Sequence, residues 1–223
     1  VLLAELYPTV YEKSEKEDIA GGLLFRIKGK SSSSPSVLMA HFDVVPVDEE
    51  KWDEDPFGGE VKDGFLWGRG TLDTKCSLFG IMESAEALLD AGFVPENDIY
   101  LSFGCNEEVA GDCAPTIVKT LKEREISPAF VLDEGGTILS SNSKYFPHDI
   151  AAIGIAEKGP MDVELTVKGE SGHSSQPPVH TAVGRLSKDI CKIENSQFPM
   201  KMNYAVEAML KAIAPHTPYI GKL

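Results

Sequence analysis

The sequence predicts an α/β protein in which helices flank a parallel or mixed sheet, followed by the beginning of a smaller α+β domain. Three short apolar segments each run directly into acidic residues or a histidine, and residues with helical periodicity lie between them. Near residue 152 the pattern changes, and a later segment alternates strictly between apolar and polar residues. We therefore expect a first domain over residues 1–152 and a second, incomplete domain over residues 153–223.

The first elements are two strands and a hairpin. The segment GGLLFRIKGK predicts a strand, and Ser31–Ser34 has the composition of a surface turn. The next segment, SVLMAH, predicts a buried strand that ends at His41. Further along the chain, Asp63 and Gly64 predict the turn of a hairpin.

Helices and two more strands follow. Apolar residues spaced by three and four predict a helix over Leu72–Leu89, which Gly92 ends. Ile99–Phe103 predicts a second buried strand, and Asp112 is placed to cap the next helix. A third strand is expected at Ala129–Leu132. Parallel strands joined by helices bring their carboxyl ends to one edge of the sheet.

The second domain shows two further signals. Met161–Lys168 alternates between apolar and polar residues, which predicts a strand with one face in water. A helix is expected from about Thr181 to Ile193.

Composition excludes several classes of protein. With 42% hydrophobic and 25% charged residues, the chain is typical of a folded globular protein rather than a disordered one. Its net charge of −14 makes nucleic acid an improbable partner, because the phosphate backbone repels such a surface. We also expect no membrane span, since no apolar run approaches the roughly 18 to 20 residues that one requires.

The four cysteines form no CxxC pair and no zinc-finger spacing. Cys105 and Cys113 are close enough in sequence to be bridged, but small buried thiols in a core are the favoured interpretation.

His41 and Asp43 follow the first of the three strands. Residues i and i+2 of a strand share a face, so Asp43 is placed to hold the second ring nitrogen of His41. This arrangement suits a metal ligand, although a structural histidine is the simpler interpretation of the pair taken alone.

Asp73 lies in a glycine-containing segment, GRGTLDTK. The segment begins like a dinucleotide-binding fingerprint, but Asp73 occupies the position of the third glycine, which argues against a nucleotide. The glycines instead predict a tight turn that presents Asp73 as a carboxylate able to bridge two cations. A helix cap is the alternative role for this side chain.

Paired carboxylates follow the other two strands. Glu107 and Glu108 come after the second strand, and consecutive side chains point in different directions, so one is able to bind metal while the other acts as a general base. Asp133 and Glu134 repeat the arrangement after the third strand, and one of them is expected to complete the set. A histidine with several carboxylates suits zinc, with manganese or cobalt as alternatives.

These residues stand in motifs that resemble those of the M20 metallopeptidases. HFDVVP, GRGTLDTK, NEEVAG and LDEGG occur in that family's order, and SGHSSQPP matches the loop through which its second domain enters the site. The resemblance covers nearly the whole chain, is weakest after about Gln197, and is strongest to the carboxypeptidase S branch. It implies a zinc-peptidase-like sheet followed by a lid and dimerisation domain.

The resemblance also implies a ligand set for two zinc ions. His41 and Glu134 would bind one zinc, Glu108 would bind the second, and Asp73 would bridge the two. Glu134 is preferred to Asp133 because it aligns with the family's single carboxylate at this place.

The same resemblance implies roles for three more residues. Glu107 would be the general base, and Asp43 would orient His41. His173 would be the lid histidine that reaches the partner's site in a homodimer. The implied activity is hydrolysis of an amide bond next to a free carboxylate, in N-acyl amino acids or peptides.

Two expectations concern the extent of the protein. The family completes its site with a later histidine and a carboxylate-binding arginine that this chain does not supply, so we expect a fragment that lacks both ends and is inactive alone.

The carboxypeptidase S branch also implies a secreted or vacuolar location. A non-catalytic binding or dimerisation protein on the same scaffold is the alternative function, and metal content would discriminate between the two.

Overall fold

The computed structural model describes residues 2–141, 148–159 and 161–216. The chain divides into two compact units, residues 1–134 and residues 135–223. This division lies about 18 residues before the domain boundary expected between residues 152 and 153. The expected boundary stays a prediction. Among the described residues, no helix has the length and apolarity needed to cross a bilayer.

The first unit is built on a mixed five-stranded sheet. Its strands are β1 (Ser14–Ile19), β2 (Gly22–Ile27), β3 (Ser31–His41), β6 (Asn97–Gly104) and β7 (Phe130–Leu132). They lie in the order β1-β2-β6-β3-β7, with β2 antiparallel to β1 and β6, and β3 parallel to both β6 and β7. The mixed α/β sheet confirms the predicted fold class.

Helices cover both faces of this sheet. On one face, Phe25 and Phe103 are fully buried against Met82 of the longest helix in the unit. On the other face, Leu24 and Tyr100 pack with Ile117 of the following helix. The helices of the unit are α1 (Leu2–Leu6), α2 (Pro8–Lys13), α3 (Cys76–Asp90) and α4 (Cys113–Glu123). Burial on both faces fixes the positions of β2, β6 and the second half of β3, whereas β7 at the edge of the sheet is exposed.

Two local predictions had different outcomes. The expected hairpin at Asp63 and Gly64 is confirmed, with β4 (Val61–Lys62) antiparallel to β5 (Phe65–Leu66). The expected surface turn at Ser31–Ser34 is wrong, because these exposed residues form the first part of β3. Backbone bonding to the start of β6 explains this, since the Ser31 N–H donates to the Glu96 carbonyl at 3.0 Å.

The second unit contains short strands and two longer helices. They are β8 (Thr137–Leu139), β9 (Ile150–Ala152), α5 (Ala182–Asn195) and α6 (Tyr204–Ile213). β8 and β9 pair antiparallel, and α5 matches the helix expected from about Thr181. The alternating segment 161–168 was expected to form a strand, but it is irregular over its described residues. A strand needs a neighbour to bond its backbone, and no described segment pairs with this one.

Candidate metal centre

Parallel strand ends bring the predicted acidic residues to one edge of the sheet. His41 is the last residue of β3 and pairs with Gly104, the last residue of β6. Glu107 and Glu108 follow β6 in a short 3-10 turn, and Glu134 comes two residues after β7. The strand-end pattern in the sequence therefore corresponds to a cluster in space.

His41 lies at the centre of this cluster. Its side chain is only 3% exposed, and its Nε2 faces three carboxylates. The distances from Nε2 are 3.2 Å to Asp73 Oδ1, 3.4 Å to Glu134 Oε1 and 3.7 Å to Glu107 Oε2. A buried imidazole with several carboxylate oxygens near one ring nitrogen is typical of a metal ligand.

Asp43 holds the opposite side of the His41 ring. The Asp43 backbone carbonyl lies 3.1 Å from His41 Nδ1. Its carboxylate Oδ1 lies 3.3 Å from the same nitrogen. This oxygen forms no hydrogen bond with any described residue. The other carboxylate oxygen accepts a 3.1 Å hydrogen bond from the Glu108 N–H. Asp43 therefore fixes both the ring and the loop that carries the two glutamates.

Asp73 is presented by an irregular turn over Thr71–Lys75, in which its own backbone is not helical. Gly70 precedes this turn with a φ of +80°, and a Cβ there would lie 2.4 Å from Val44 Cγ1. This position therefore requires glycine both for its backbone and for the close approach of Val44. The helix predicted from Leu72 instead begins at Cys76, because the irregular turn comes first.

Two carboxyl groups of the cluster, Glu107 and Glu134, have a raised pKa. Burial is the main cause of the raised pKa of Glu107, and the charges of Glu108, Asp43 and Asp73 add to it against the opposing effect of His41. Burial likewise raises the pKa of Glu134, with smaller contributions from Asp73 and Glu107. Negative charges held this close need a cation or protons to neutralise them.

The pKa of His41 is also raised. Burial acts to lower it, but the charge of Glu134 and the contacts with Asp43 and Asp73 outweigh that effect. The surrounding carboxylates thus favour a positive charge at this position.

Two sets of ligand atoms are close enough to hold a metal ion, and they share His41. One set is His41, Glu107 and Glu134, and the other is His41, Asp73 and Glu108; the atoms within each set lie within 4.8 Å of one another. One nitrogen and several carboxylate oxygens suit zinc, manganese or cobalt. The residues present therefore fit a metal centre.

The structure favours Glu134 over Asp133 in this cluster. Glu134 contacts His41, whereas Asp133 lines a separate apolar cavity beside Leu38 and Phe93. Sequence reasoning did not single out Thr74, a buried residue whose hydroxyl acts to lower the pKa of the Glu134 carboxyl against the larger effect of burial. Its position directly after Asp73 was the available signal.

His173 belongs to the second unit, and its role stays a prediction. The residue is exposed, and the Ser175 hydroxyl lies 2.8 Å from its Nδ1. The Ser175 N–H also donates to this nitrogen at 3.2 Å. These contacts hold the ring in one orientation within its own loop.

Comparison with known proteins gives the context for this site. Residues 37–217 match the model of peptidase family M20/M25/M40. The human N-fatty-acyl-amino acid synthase/hydrolase PM20D1 is 39% identical over 198 residues, covering 88% of this chain and 39% of the relative. The probable carboxypeptidase S-like 2 of Dictyostelium discoideum is 41% identical over 198 residues, covering 85% of this chain and 38% of the relative.

Solved structures support the fold. Human carnosine dipeptidase 1 superposes with a TM-score of 0.51 at 19% identity, covering 60% of this chain and 32% of that one. An M20 family metallo-carboxypeptidase from Sulfolobus solfataricus gives a TM-score of 0.50 at 20% identity, covering 61% and 34%. The chain thus spans about two fifths of the curated relatives it matches, and with the family match covering most of its length, it belongs to peptidase family M20/M25/M40.

Proposed function

We propose that the protein is a metal-dependent hydrolase that cleaves the amide bond of N-acyl amino acids or of peptides with a free C-terminal carboxylate. The observation that carries this proposal is the overlap of two metal-ligand sets at His41, one of which includes a half-exposed glutamate, Glu107. The substrate class follows from the names of the relatives, which include an N-fatty-acyl-amino acid hydrolase and carboxypeptidases.

The proposed ligands are those of a two-zinc centre. His41 and Glu134 would hold one ion, Glu108 would hold the other, and Asp73 would bridge them. Zinc in such a site lowers the pKa of a bound water and polarises the substrate carbonyl. Asp43 contributes by fixing the ring of His41 and the backbone of Glu108, so that both ligands keep their positions.

Glu107 is the proposed general base. Its Oε2 faces the centre of the cluster, 3.7 Å from His41 Nε2, while about half of the side chain remains accessible to solvent. In that position the carboxylate takes a proton from the attacking water and returns it to the departing amine. Its raised pKa brings the carboxyl nearer to neutral pH, where proton transfer in both directions is efficient.

His173 is the proposed electrophilic residue. An exposed imidazole on a loop is able to donate a hydrogen bond to the oxyanion that forms when water attacks the amide carbonyl. The M20 resemblance supports its entry into the site of a second copy, so we propose a homodimer in which the second unit supplies this residue.

The decisive experiment combines metal analysis with an assay of N-acyl amino acid hydrolysis, using the chain together with any sequence that naturally adjoins it. We expect about two zinc ions per chain and measurable hydrolysis. Glu107→Gln should keep the metal and lose about 100- to 10,000-fold in turnover, since it removes only the proton-transfer step. The control Glu123→Gln changes an exposed glutamate at the end of α4 and should leave both readouts unchanged.

Two results would contradict the proposal. A protein that binds no metal under these conditions would favour the alternative of a non-catalytic binding protein on this scaffold. Near-normal turnover in Glu107→Gln would remove this residue from the mechanism while leaving the metal site itself intact.

A further inference from the structure

Two cysteines stand at the ends of the loop that carries the paired glutamates. Cys105 follows the last residue of β6, and Cys113 is the first residue of α4. Glu107 and Glu108 lie between them in the chain. The spacing and orientation of these cysteines therefore bear directly on the position of the loop.

Hydrogen bonds close the base of this loop. The Asn106 side chain accepts a bond from the Cys113 N–H at 3.2 Å and donates one to Asp112 Oδ1 at 3.1 Å. The Gly111 N–H donates to the Asn106 carbonyl at 2.8 Å. The two ends of the loop are thus held side by side without any covalent link.

The thiols at the two ends meet over the turn between β1 and β2. The Cys105 thiol donates to the Ala20 carbonyl at 3.3 Å, and the Cys113 thiol donates to the neighbouring Ile19 carbonyl at 3.8 Å. The two thiols thus bond to the carbonyls of consecutive residues in the same turn. Both side chains are therefore confined to one small region, and both are free cysteines.

Two glycines of the turn leave room for the sulfur atoms. A Cβ at Gly22 would lie 2.3 Å from the Cys113 Sγ, and one at Gly21 would lie 3.0 Å from the Cys105 Sγ. The turn thus packs directly against both sulfur atoms, each at one of two consecutive glycines.

We infer that Cys105 and Cys113 form a reversible disulfide that ties together the ends of the Glu107–Glu108 loop. With glutathione disulfide as oxidant, the partly accessible Cys105 attacks first, forming a mixed disulfide and releasing one glutathione thiolate. The buried Cys113 then attacks the Cys105 sulfur and releases the second glutathione. Two protein thiols lose two electrons and two protons, and one glutathione disulfide becomes two glutathione thiols.

The test is thiol mapping of the whole chain after incubation with glutathione disulfide. The incubation is run at mildly alkaline pH, because burial and the neighbouring Cys113 raise the pKa of the Cys105 thiol. Remaining thiols are blocked with iodoacetamide in denaturant, and the chain is cut after glutamate. Cleavage at Glu107 and Glu108 separates the two cysteines, so their peptides stay joined only through a disulfide.

We expect the two peptides to remain joined until a reductant is added. The double variant Cys76→Ser/Cys191→Ser removes the two exposed cysteines and should behave in the same way. In Cys113→Ala, the reaction should end with a single glutathione adduct on Cys105. In Cys105→Ser, Cys113 should carry neither glutathione nor a disulfide.

Three outcomes would overturn the inference. The first is alkylation of both Cys105 and Cys113 while Cys76 or Cys191 carries the glutathione. The second is a bridge from Cys105 to Cys76, and the third is a joined peptide pair that persists in the Cys105→Ser variant. None of these readouts depends on hydrolysis, so the inference stands or falls separately from the proposed function.

Discussion

The two units of the chain differ in how their elements are held. The first unit buries apolar side chains on both faces of its sheet, and all the buried residues of the described chain belong to it. In the second unit, large apolar side chains such as Ile153, Phe198 and Met200 are exposed. Packing therefore specifies the first unit, whereas local signals such as helix caps specify the elements of the second.

This difference explains where a precise site is possible. Metal ligands need positions fixed to a fraction of an ångström, and only side chains supported by a packed sheet have them. His41 ends β3, Glu108 and Glu134 follow β6 and β7, and Asp73 lies in the turn before α3. The second unit instead contains a cavity of about 1020 Å³ between residues 150–158 and α6.

The largest expected effect comes from removing the shared ligand. His41→Ala should weaken zinc binding at least about 100-fold, because both sets of ligand atoms include this imidazole. Equilibrium dialysis with metal analysis measures the change. The matched control is His180→Ala, an exposed histidine of the second unit, which should bind zinc as the parent does. Equal zinc affinity in both variants would place the metal elsewhere.

Removing one phenylalanine ring from each unit tests the contrast in packing between them. Phe103→Ala should lower the free energy of unfolding by about 3–5 kcal/mol, because the ring is fully buried between the helices and the sheet. Phe198→Ala in the second unit should change it by less than about 0.5 kcal/mol, because that ring is 85% exposed. Denaturant unfolding measures both, and similar losses would mean that the second unit buries Phe198.

A smaller, pH-dependent effect is expected at Glu86 in the first unit. Its carboxylate accepts hydrogen bonds from the backbone N–H groups of Thr9 and Val10, each at 2.8 Å, and so joins α2 to α3. Burial acts to raise the pKa of Glu86, but these bonds outweigh it and lower the pKa. Glu86→Gln should therefore cost about 1 to 2 kcal/mol at neutral pH.

The pH dependence of this cost has a definite sign. A lowered pKa in the folded protein stabilises the fold above the unfolded carboxyl value of about 4.3, and this contribution is lost as the pH falls through the lower folded value. The gap between parent and Glu86→Gln should narrow in acid. Glu96→Gln, an exposed partner of Lys30, should change stability by less than about 0.5 kcal/mol. A constant gap at all pH values would contradict the role of the charge.

The sequence predicted the strand ends well because burial and polarity change there abruptly. The apolar run before His41 and the one before Glu107 both proved to be central strands whose ends adjoin. The sequence could not predict which oxygens face His41 Nε2, because that depends on the irregular turn that presents Asp73. Such geometry follows from packing between distant segments.

The alternating segment 161–168 is a case in which the sequence pattern predicted an element that the structure does not form. Periodicity of two predicts which side chains share a face, but a strand forms only when a second strand bonds its backbone. The described residues supply no such neighbour, so the pattern alone does not produce the element. The same reasoning explains Ser31–Ser34, where bonds to the β6 region outweighed a turn-like composition.

The last and smallest prediction compares two helix caps that look alike in sequence. Thr181 accepts a hydrogen bond from the Gly184 N–H at 3.1 Å and caps α5. Asp112 stands at the same place before α4 but forms no side-chain cap, because Asn106 bonds both its carboxylate and the Cys113 N–H. Thr181→Ala should destabilise α5 by about 1 kcal/mol, which hydrogen exchange of its first amides measures.

The control is Asp112→Asn, which keeps an oxygen that can accept the bond from Asn106 and should leave exchange at the start of α4 nearly unchanged. Thr181→Ala should also leave the unfolding midpoint of the first unit unchanged, because the core clusters of that unit consist of its own residues. Slower or unaltered exchange in α5 would mean that contacts other than the cap hold this helix. In that case the second unit would depend on packing in the same way as the first, and the contrast between them would fail.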